Sequence, residues 1–568
     1  MKLIIRQYLA SLKERGELDA IIPDLLSELG LTVFSRPGRG TRQDGVDVAA
    51  VGSLEGGLDK VYLFSIKAGN LTRNSWDGDA TQSLRPSLNE ILDAYIPNRL
   101  PNEHKDKNIV ICLCFGGDIQ EQVRPPVKGY IKTHKKDNVT FEEWNGDKLA
   151  ALIQSSFLCE ELMPSHMQSK LRKALALLDE PEASYGHFSG LIRSLSDIKG
   201  KNDKDKVTAI RQINLCLWIL FAWAREAGNL ESAYLSGELA LLHGWEIART
   251  YLNKKTKRSH PIYQSLHAIL FTHQQISFRY LEEKIIPHVH KLHALSVAVH
   301  SQRNLDINLK LFDVLGRLAI GGTWLHWHLT QLPDEDNAIK VETKESIQHH
   351  MAAIRELIFN NPTLLLPVKD EQAIDICIAI LLLATDVDNI QDIKSWLSLM
   401  TDRVDFSLRT HGSYPCNIAS YSDLLDHPKK EENYLENATV GSILYPVIAL
   451  WACLLNDEKL YAKIQSIKEQ LLKHCNFQYW YPDETSEEHF YTNNEIHGAS
   501  LSHLCIEKSP GEFLKQVFDE CEKTSAFEHL SAVKAGLWPL ILVACRHYRL
   551  PVPLHLLRGF LKTKEGKT

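Results

Sequence analysis

The apolar residues of this chain change period repeatedly over the first 160 or so positions and then settle into a helical rhythm. A segment that switches between period 3.6 and period 2 folds as a mixed α/β unit, whereas a long stretch at 3.6 builds helix on helix. Leu18, Ile21, Ile22, Leu25, Leu26 and Leu29 fall at helical spacing, with Gly30 as the stop and Pro23 as a kink or restart. Strands are predicted at Leu31–Phe34, Val46–Val51, Val61–Lys67, Asn108–Phe115 and Val139–Trp144. Helices are predicted over 79–95 and Lys148–Ile153. That order describes a compact α/β sandwich over residues 1–160.

Beyond 165 the pattern is all-helical, read as one domain over 165–400 and a second, continuous with it, over 401–568. Ile210–Ala227 and Leu230–Leu252 form a helical hairpin about Gly228-Asn229, and a further helix is expected at 497–506. Consecutive helix pairs suggest a stacked, repeat-like array, although no clean period is present. The stretches 405–437 and 476–494 read as loops. The second is aromatic (Phe477, Tyr479, Trp480, Tyr481, Phe490, Tyr491), and packing under helices is the expected use of those rings.

The net charge of −7 argues against a globally basic nucleic-acid binder, so any basic surface must be local. The 11 cysteines are odd in number and lack framework spacing; Cys112 and Cys114 lie in the apolar run Ile109–Phe115, and Cys216, Cys377 and Cys545 inside helical patterns. Buried free thiols and a cytoplasmic location are expected. The first residues carry charge and lack a long apolar core, so no secretory leader is expected. The apolar run Ile213–Ala224 is short for a bilayer and bounded by Arg211 and Arg225, so no membrane association is expected.

The residues that bear chemistry are Asp47, in the second strand, and Lys67, at the end of the third. On neighbouring strands they can converge at one sheet edge. Phosphodiester hydrolysis uses such a set: a carboxylate to hold a divalent ion and an ammonium to orient water or offset charge on phosphate. The string Gly38-Arg39-Gly40-Thr41-Arg42-Gln43-Asp44-Gly45-Val46-Asp47-Val48, followed by Phe64-Ser65-Ile66-Lys67-Ala68-Gly69, resembles the PD-(D/E)xK restriction-endonuclease-like superfamily, its Mrr-type branch most closely. The tail Phe141–Leu149 resembles the last strand and helix of that branch, and the resemblance covers about 15–157.

The resemblance implies a restriction-endonuclease-like α/β domain with Mg²⁺ (or Mn²⁺) as cofactor and DNA as substrate. It further implies the effector of a restriction or anti-phage defence system. A homo-oligomer or a separate ATPase or sensor subunit is expected as partner, since no Walker A motif occurs in the chain. Asp47 matches the metal-binding aspartate and Lys67 the lysine. Ser65 departs from the pattern, standing where the family usually has Asp, Glu or Gln, and is expected to line the site. Another acid must then take over. At 100° per residue Asp19 borders the apolar helix face beside Leu26 and Glu28 borders it beside Ile21, while Asp24 points further away. Asp19 is the first choice and Glu28 the second. A non-catalytic alternative, in which a degenerate nuclease binds DNA as a scaffold with a helical adaptor, follows from Ser65.

Arg36, Arg39 and Arg42 crowd the loop before Asp47. Arg124, Lys128, Lys132, Lys135 and Lys136 form an acid-free run. Arg39, Arg42, Lys128 and Lys132 are the expected phosphate contacts. Other patterns fall away. Gly38-x-Gly40 leads into a strand rather than a helix, Gly566-Lys567-Thr568 lacks the rest of a P-loop, and no Gly-x-Ser-x-Gly elbow occurs. His288, His290, His293 and His300 cluster on a stretch read as helical, with no supporting cysteine or acid pattern for zinc.

Overall fold

The computed structural model describes residues 2–36, 43–54, 56–78, 83–157, 164–198, 200, 202–252, 259–333, 336–493 and 499–558. By contacts the chain divides into two units, one of Met1–Ala248 with Lys254–His273, the other of Arg249–Asn253 with Gln274–Thr568. The boundaries expected near 160 and 400 fall elsewhere. Helices after the sheet fall in the same unit as it, and the helix Ile390–Thr410 runs through position 400.

The first unit opens with helix α1 (Lys2–Ser11), a single π-helical turn (Glu14–Leu18) and α2 (Asp19–Glu28). Ile5, Tyr8, Leu9 and Leu12 line the buried face of α1 and its exit at the i, i+3, i+4, i+7 spacing of an amphipathic helix. Five strands follow: β1 (Thr32–Ser35), β2 (Val48–Gly52), β3 (Lys60–Lys67), β4 (Ile109–Phe115) and β5 (Val139–Trp144), in the spatial order of the chain. The β1/β2 and β2/β3 pairs are antiparallel, whereas β3/β4 and β4/β5 are parallel. The parallel pairs need crossovers. The first contains α3 (Arg73–Asp77) and α4 (Leu84–Glu90), the second α5 (Arg124–His134), which was not foreseen; α6 (Gly146–Ser156) closes the layer.

Both central strands are buried along nearly their whole length because both faces of the sheet are covered. Leu63, Ile111 and Leu113 pack with Trp76, Leu88, Val127 and Tyr130 on one side. By pleat alternation Phe64, Cys112 and Cys114 face the other way, where Phe64 meets Trp144 edge-on at 4.9 Å. On the same unit lie α7 (Ser165–Ala176), α8 (Pro181–Ser196) and α9 (Asp203–Ala227). Among the described residues α9 is the one helix long and apolar enough to cross a bilayer, longer than the run expected from sequence. In its most apolar window 89% is buried in the protein, so that apolarity is used in packing.

The second unit is mostly helical but not wholly so, which corrects the all-α expectation. Gly441–Ser442, Asn476–Pro482 and Ala499–His503 form a three-stranded sheet. The aromatic stretch read as a loop is its middle strand, with Phe477, Tyr479, Trp480 and Tyr481 all buried, and part of the helix expected at 497–506 is the third strand. Aromatic residues favour a pleated, buried surface. The unit also encloses ion pairs: Asp313 accepts from Arg317 (2.6 Å) and Arg546 (2.7 Å), and Asp375 from Arg549 (2.9 Å). The four clustered histidines lie exposed in short turns rather than on one helix, because the helix from Ser259 gives way to a π turn and a 3-10 turn at Leu281–His288. All described cysteines are free, and all but Cys505 are buried.

Gly45 leads the chain into β2 at φ +80°, and a Cβ there would lie 2.0 Å from the Ser87 carbonyl oxygen. Gly45→Ala is therefore expected to cost more than about 2 kcal/mol, from a positive φ and a backbone clash together. Chemical denaturation at neutral pH measures it, and a loss below about 0.5 kcal/mol would contradict the tight approach.

Candidate active site

Antiparallel pairing sets the start of β2 beside the end of β3, with Val48 opposite Phe64. Asp47, one residue before the ladder, donates its N–H to the Phe64 carbonyl (2.8 Å). Its carboxylate Oδ2 accepts from the Ile66 N–H at 2.7 Å. Lys67 is the last residue of β3, buried, with Nζ donating to Glu14 Oε1 at 2.9 Å. The structure thus brings the two expected residues to one edge and adds a third, Glu14, which the sequence reading missed. The i, i+3, i+4, i+7 pattern at Ile5–Leu12 was the available signal: it places a helix ahead of Glu14 and moves the acid-bearing turn upstream.

Asp19, the favoured substitute acid, is buried and acts on Asp47 electrostatically. Glu28, the second choice, is corrected. Its carboxylate accepts from Thr208 Oγ1 (2.9 Å) and Arg211 (3.1 Å), at the far end of α2 and roughly 13 Å from Asp19 along the helix axis. Ser65 is fully buried and its hydroxyl has no hydrogen-bond partner, an uncommon state for a buried polar atom.

Burial pushes the Asp47 carboxyl up to about 6. The Ile66 N–H and Lys67 oppose the rise, whereas Glu14 and Asp19 add to it as like charges. Cys114, buried next to this carboxylate, has its thiol raised by burial first and by Asp47 second. Among the described residues no group of three or more His, Cys, Asp or Glu side chains stands ready-made around a common metal position. The donor chemistry nonetheless fits a hard divalent cation. Asp47 is destabilised as an anion by two neighbouring acids, and an unpartnered hydroxyl sits on the adjacent strand position. Mg²⁺ keeps several waters and is commonly held by only one or two carboxylates.

The expected phosphate contacts divide. Arg39 and Arg42 lie outside the described residues. Lys128 and Lys132 are exposed on α5. That helix starts after the Phe115 end of β4 and returns toward the start of β5, with Lys128 and Lys132 about 6 and 12 Å along its axis beyond Arg124. Nearer cations are Lys13 and Arg15, exposed on either side of Glu14, and Arg73, exposed at the start of α3 just beyond β3. Compared with known protein families, curated proteins and solved structures, the chain matches none.

Asp47→Asn keeps an oxygen acceptor for the Ile66 N–H and removes the buried charge. In the folded protein Asp47 binds its proton up to about 6, against 3.8 ordinarily, so wild-type stability falls as pH rises through that window. The variant is therefore expected to match wild type below pH 4 and to exceed it above pH 6, by up to about 3 kcal/mol. Denaturation midpoints across pH 4–8 test this, and a variant less stable at pH 7 would overturn the buried-carboxylate reading.

Proposed function

We propose that the N-terminal α/β domain is a divalent-metal-dependent phosphodiesterase of the PD-(D/E)xK restriction-endonuclease-like kind, acting on DNA. The observation that carries this reading is the meeting of Asp47 and Lys67 at one sheet edge with Glu14 and Asp19 beside them. An acid-bearing turn, then a hairpin carrying the aspartate and the lysine, is also the order that the sequence resemblance implies.

In this reading Asp47 and Asp19 or Glu14 hold the ion, which when bound supplies Lewis acidity and a water of lowered pKa. Lys67 keeps an ammonium at the edge where phosphate negative charge grows, and orients the attacking water. Its ion pair with Glu14 holds the amine in place within a buried wall. Ser65 offers a neutral oxygen where a carboxylate would add charge, so the site carries fewer formal anions around the ion. Lys13, Arg15 and Arg73 are suited to phosphate contacts that position the backbone without reading bases.

A second reading has an observation of its own. Ser65 leaves the edge one carboxylate short, and Glu14 is occupied by Lys67, as suits a nuclease-derived DNA-binding scaffold.

Plasmid cleavage by the full chain with Mg²⁺ or Mn²⁺ separates the two. Asp47→Ala and Lys67→Ala are each expected to lose at least about 100-fold in rate. Absent cleavage, together with no Asp47-dependent metal binding, would leave the scaffold reading. Lys13→Gln, Arg15→Gln and Arg73→Gln are each expected to lower the slope of log affinity against log salt by about 1. Unchanged slopes in all three would remove them from the interface, whereas Lys132→Gln is expected to change little.

A further inference from the structure

The π-helical turn that presents Glu14 is held by a helix that follows the sheet in the chain. Glu17, in the same turn, is buried and uses both carboxylate oxygens: Oε2 accepts from the Lys13 N–H at 2.8 Å, and Oε1 from Arg225 of α9 at 3.4 Å. Lys13 precedes Glu14, whose carboxylate reaches Lys67 at 2.9 Å. Polar contacts thus run without a gap from α9 through Glu17 and the turn backbone to the candidate site. Tyr8 of α1, fully buried, feels both Glu17 and Arg225.

The same helix grips the other end of α2, where Arg211 donates to Glu28 at 3.1 Å and Thr208 to the same carboxylate at 2.9 Å. Arg211 and Arg225 are separated by about 21 Å of helix and lie within roughly 40° of one face. The segment from Glu17 to Glu28 spans about 16 Å, so α9 and α2 run antiparallel and are clamped at both ends.

A π turn holds one residue more than an α turn, and such single turns are rare overall and frequent at functional sites. Its closing bond here is Leu18 N–H to the Lys13 carbonyl at 3.0 Å. Without Arg225, Glu17 would be a buried, poorly paired anion. Its escape to water would let the turn relax to α geometry and rotate Glu14 by about 100° relative to Asp19.

We propose that Arg225 is a positioning residue for the site, holding Glu14 in register with Asp19 and Asp47 through Glu17, while Arg211 is a purely structural anchor of the same helix pair. The proposal rests on the metal-site reading above.

The test uses the full chain and two readouts, Mn²⁺ affinity and amide hydrogen exchange. Arg225→Met is expected to weaken Mn²⁺ binding about tenfold and to speed exchange over residues 13–19, and Arg225→Lys to recover most of both. Arg211→Met is expected to speed exchange toward the end of α2 and to leave Mn²⁺ affinity within twofold. Equal affinity losses in the two Met variants, or exchange over 13–19 unmoved by Arg225→Met, would overturn it. If wild type binds no Mn²⁺, the metal-site reading falls and takes the positioning role with it. Exchange would then report only whether Arg225 anchors the turn.

Discussion

The pairing of β2 with β3 is the constraint on which the candidate site depends. With Val48 opposite Phe64, Asp47 falls within reach of the Ile66 N–H and next to the strand that ends in Lys67. A slip of one residue would turn every side chain of β2 to the other face. It would exchange the faces that Val48 and Ala49 occupy and carry the aspartate away from the lysine. Two features pin the register. Both faces of the hairpin are buried, so a slipped arrangement would strand polar groups in the core. Gly45, at positive φ against the Ser87 carbonyl, fixes where the chain enters β2. The site therefore inherits its precision from the central sheet, whose two inner strands are buried along nearly their whole length.

Electrostatics at that edge work against the fold, which is what the proposed metal site would use. Asp47 loses hydration and gains two acidic neighbours, and the Ile66 N–H and Lys67 compensate only in part. A site that stabilised its carboxylates fully without a ligand would have little left with which to attract one. The Lys67–Glu14 pair limits the cost by neutralising two charges at short range, and a half-buried pair of this kind is worth little as a source of stability. Its value is geometric, since each partner holds the other at the edge. Ser65 belongs to the same balance: a carboxylate there would stand beside Asp47, Glu14 and Asp19 in a buried wall.

Much of the sheet domain was legible because its strands differ in period from what flanks them. The hairpin, the Ile109–Phe115 strand, the last strand and helix, and the Asp47–Lys67 pairing all follow from local pattern. α1 is legible only in the spacing of Ile5, Tyr8, Leu9 and Leu12, and Glu14 stands out only once that helix is placed ahead of it. α5 was read as a basic run because its apolar side is narrow, chiefly Val127 and Tyr130. Glu28 could not be separated from Asp19 by helical geometry alone. Both border the apolar face, and what removes Glu28 is Arg211, more than 180 residues away, which no local pattern shows. The strand at Asn476–Pro482 shows alternation only over Asn476-Phe477-Gln478-Tyr479; from Tyr479 on it is continuously buried and has no polar position to display.

The same long-range logic explains why α9 is so apolar. A helix buried on most of its surface is mostly hydrophobic, and the buried polar residues of α9 are few: Gln212 and Asn214, with Thr208 and Arg211, which together with the half-buried Arg225 meet the acids of the π turn and α2. Buried guanidinium groups are costly unless paired, so they specify where the segment from Glu17 to Glu28 lies against the helix more strictly than apolar contacts would. Apolar packing tolerates sliding by a fraction of a turn, whereas two ion pairs about 21 Å apart on one helix do not. A sheet edge that must hold several carboxylates close together needs that kind of support. In this chain it comes from a helix that follows the sheet and belongs to the same unit.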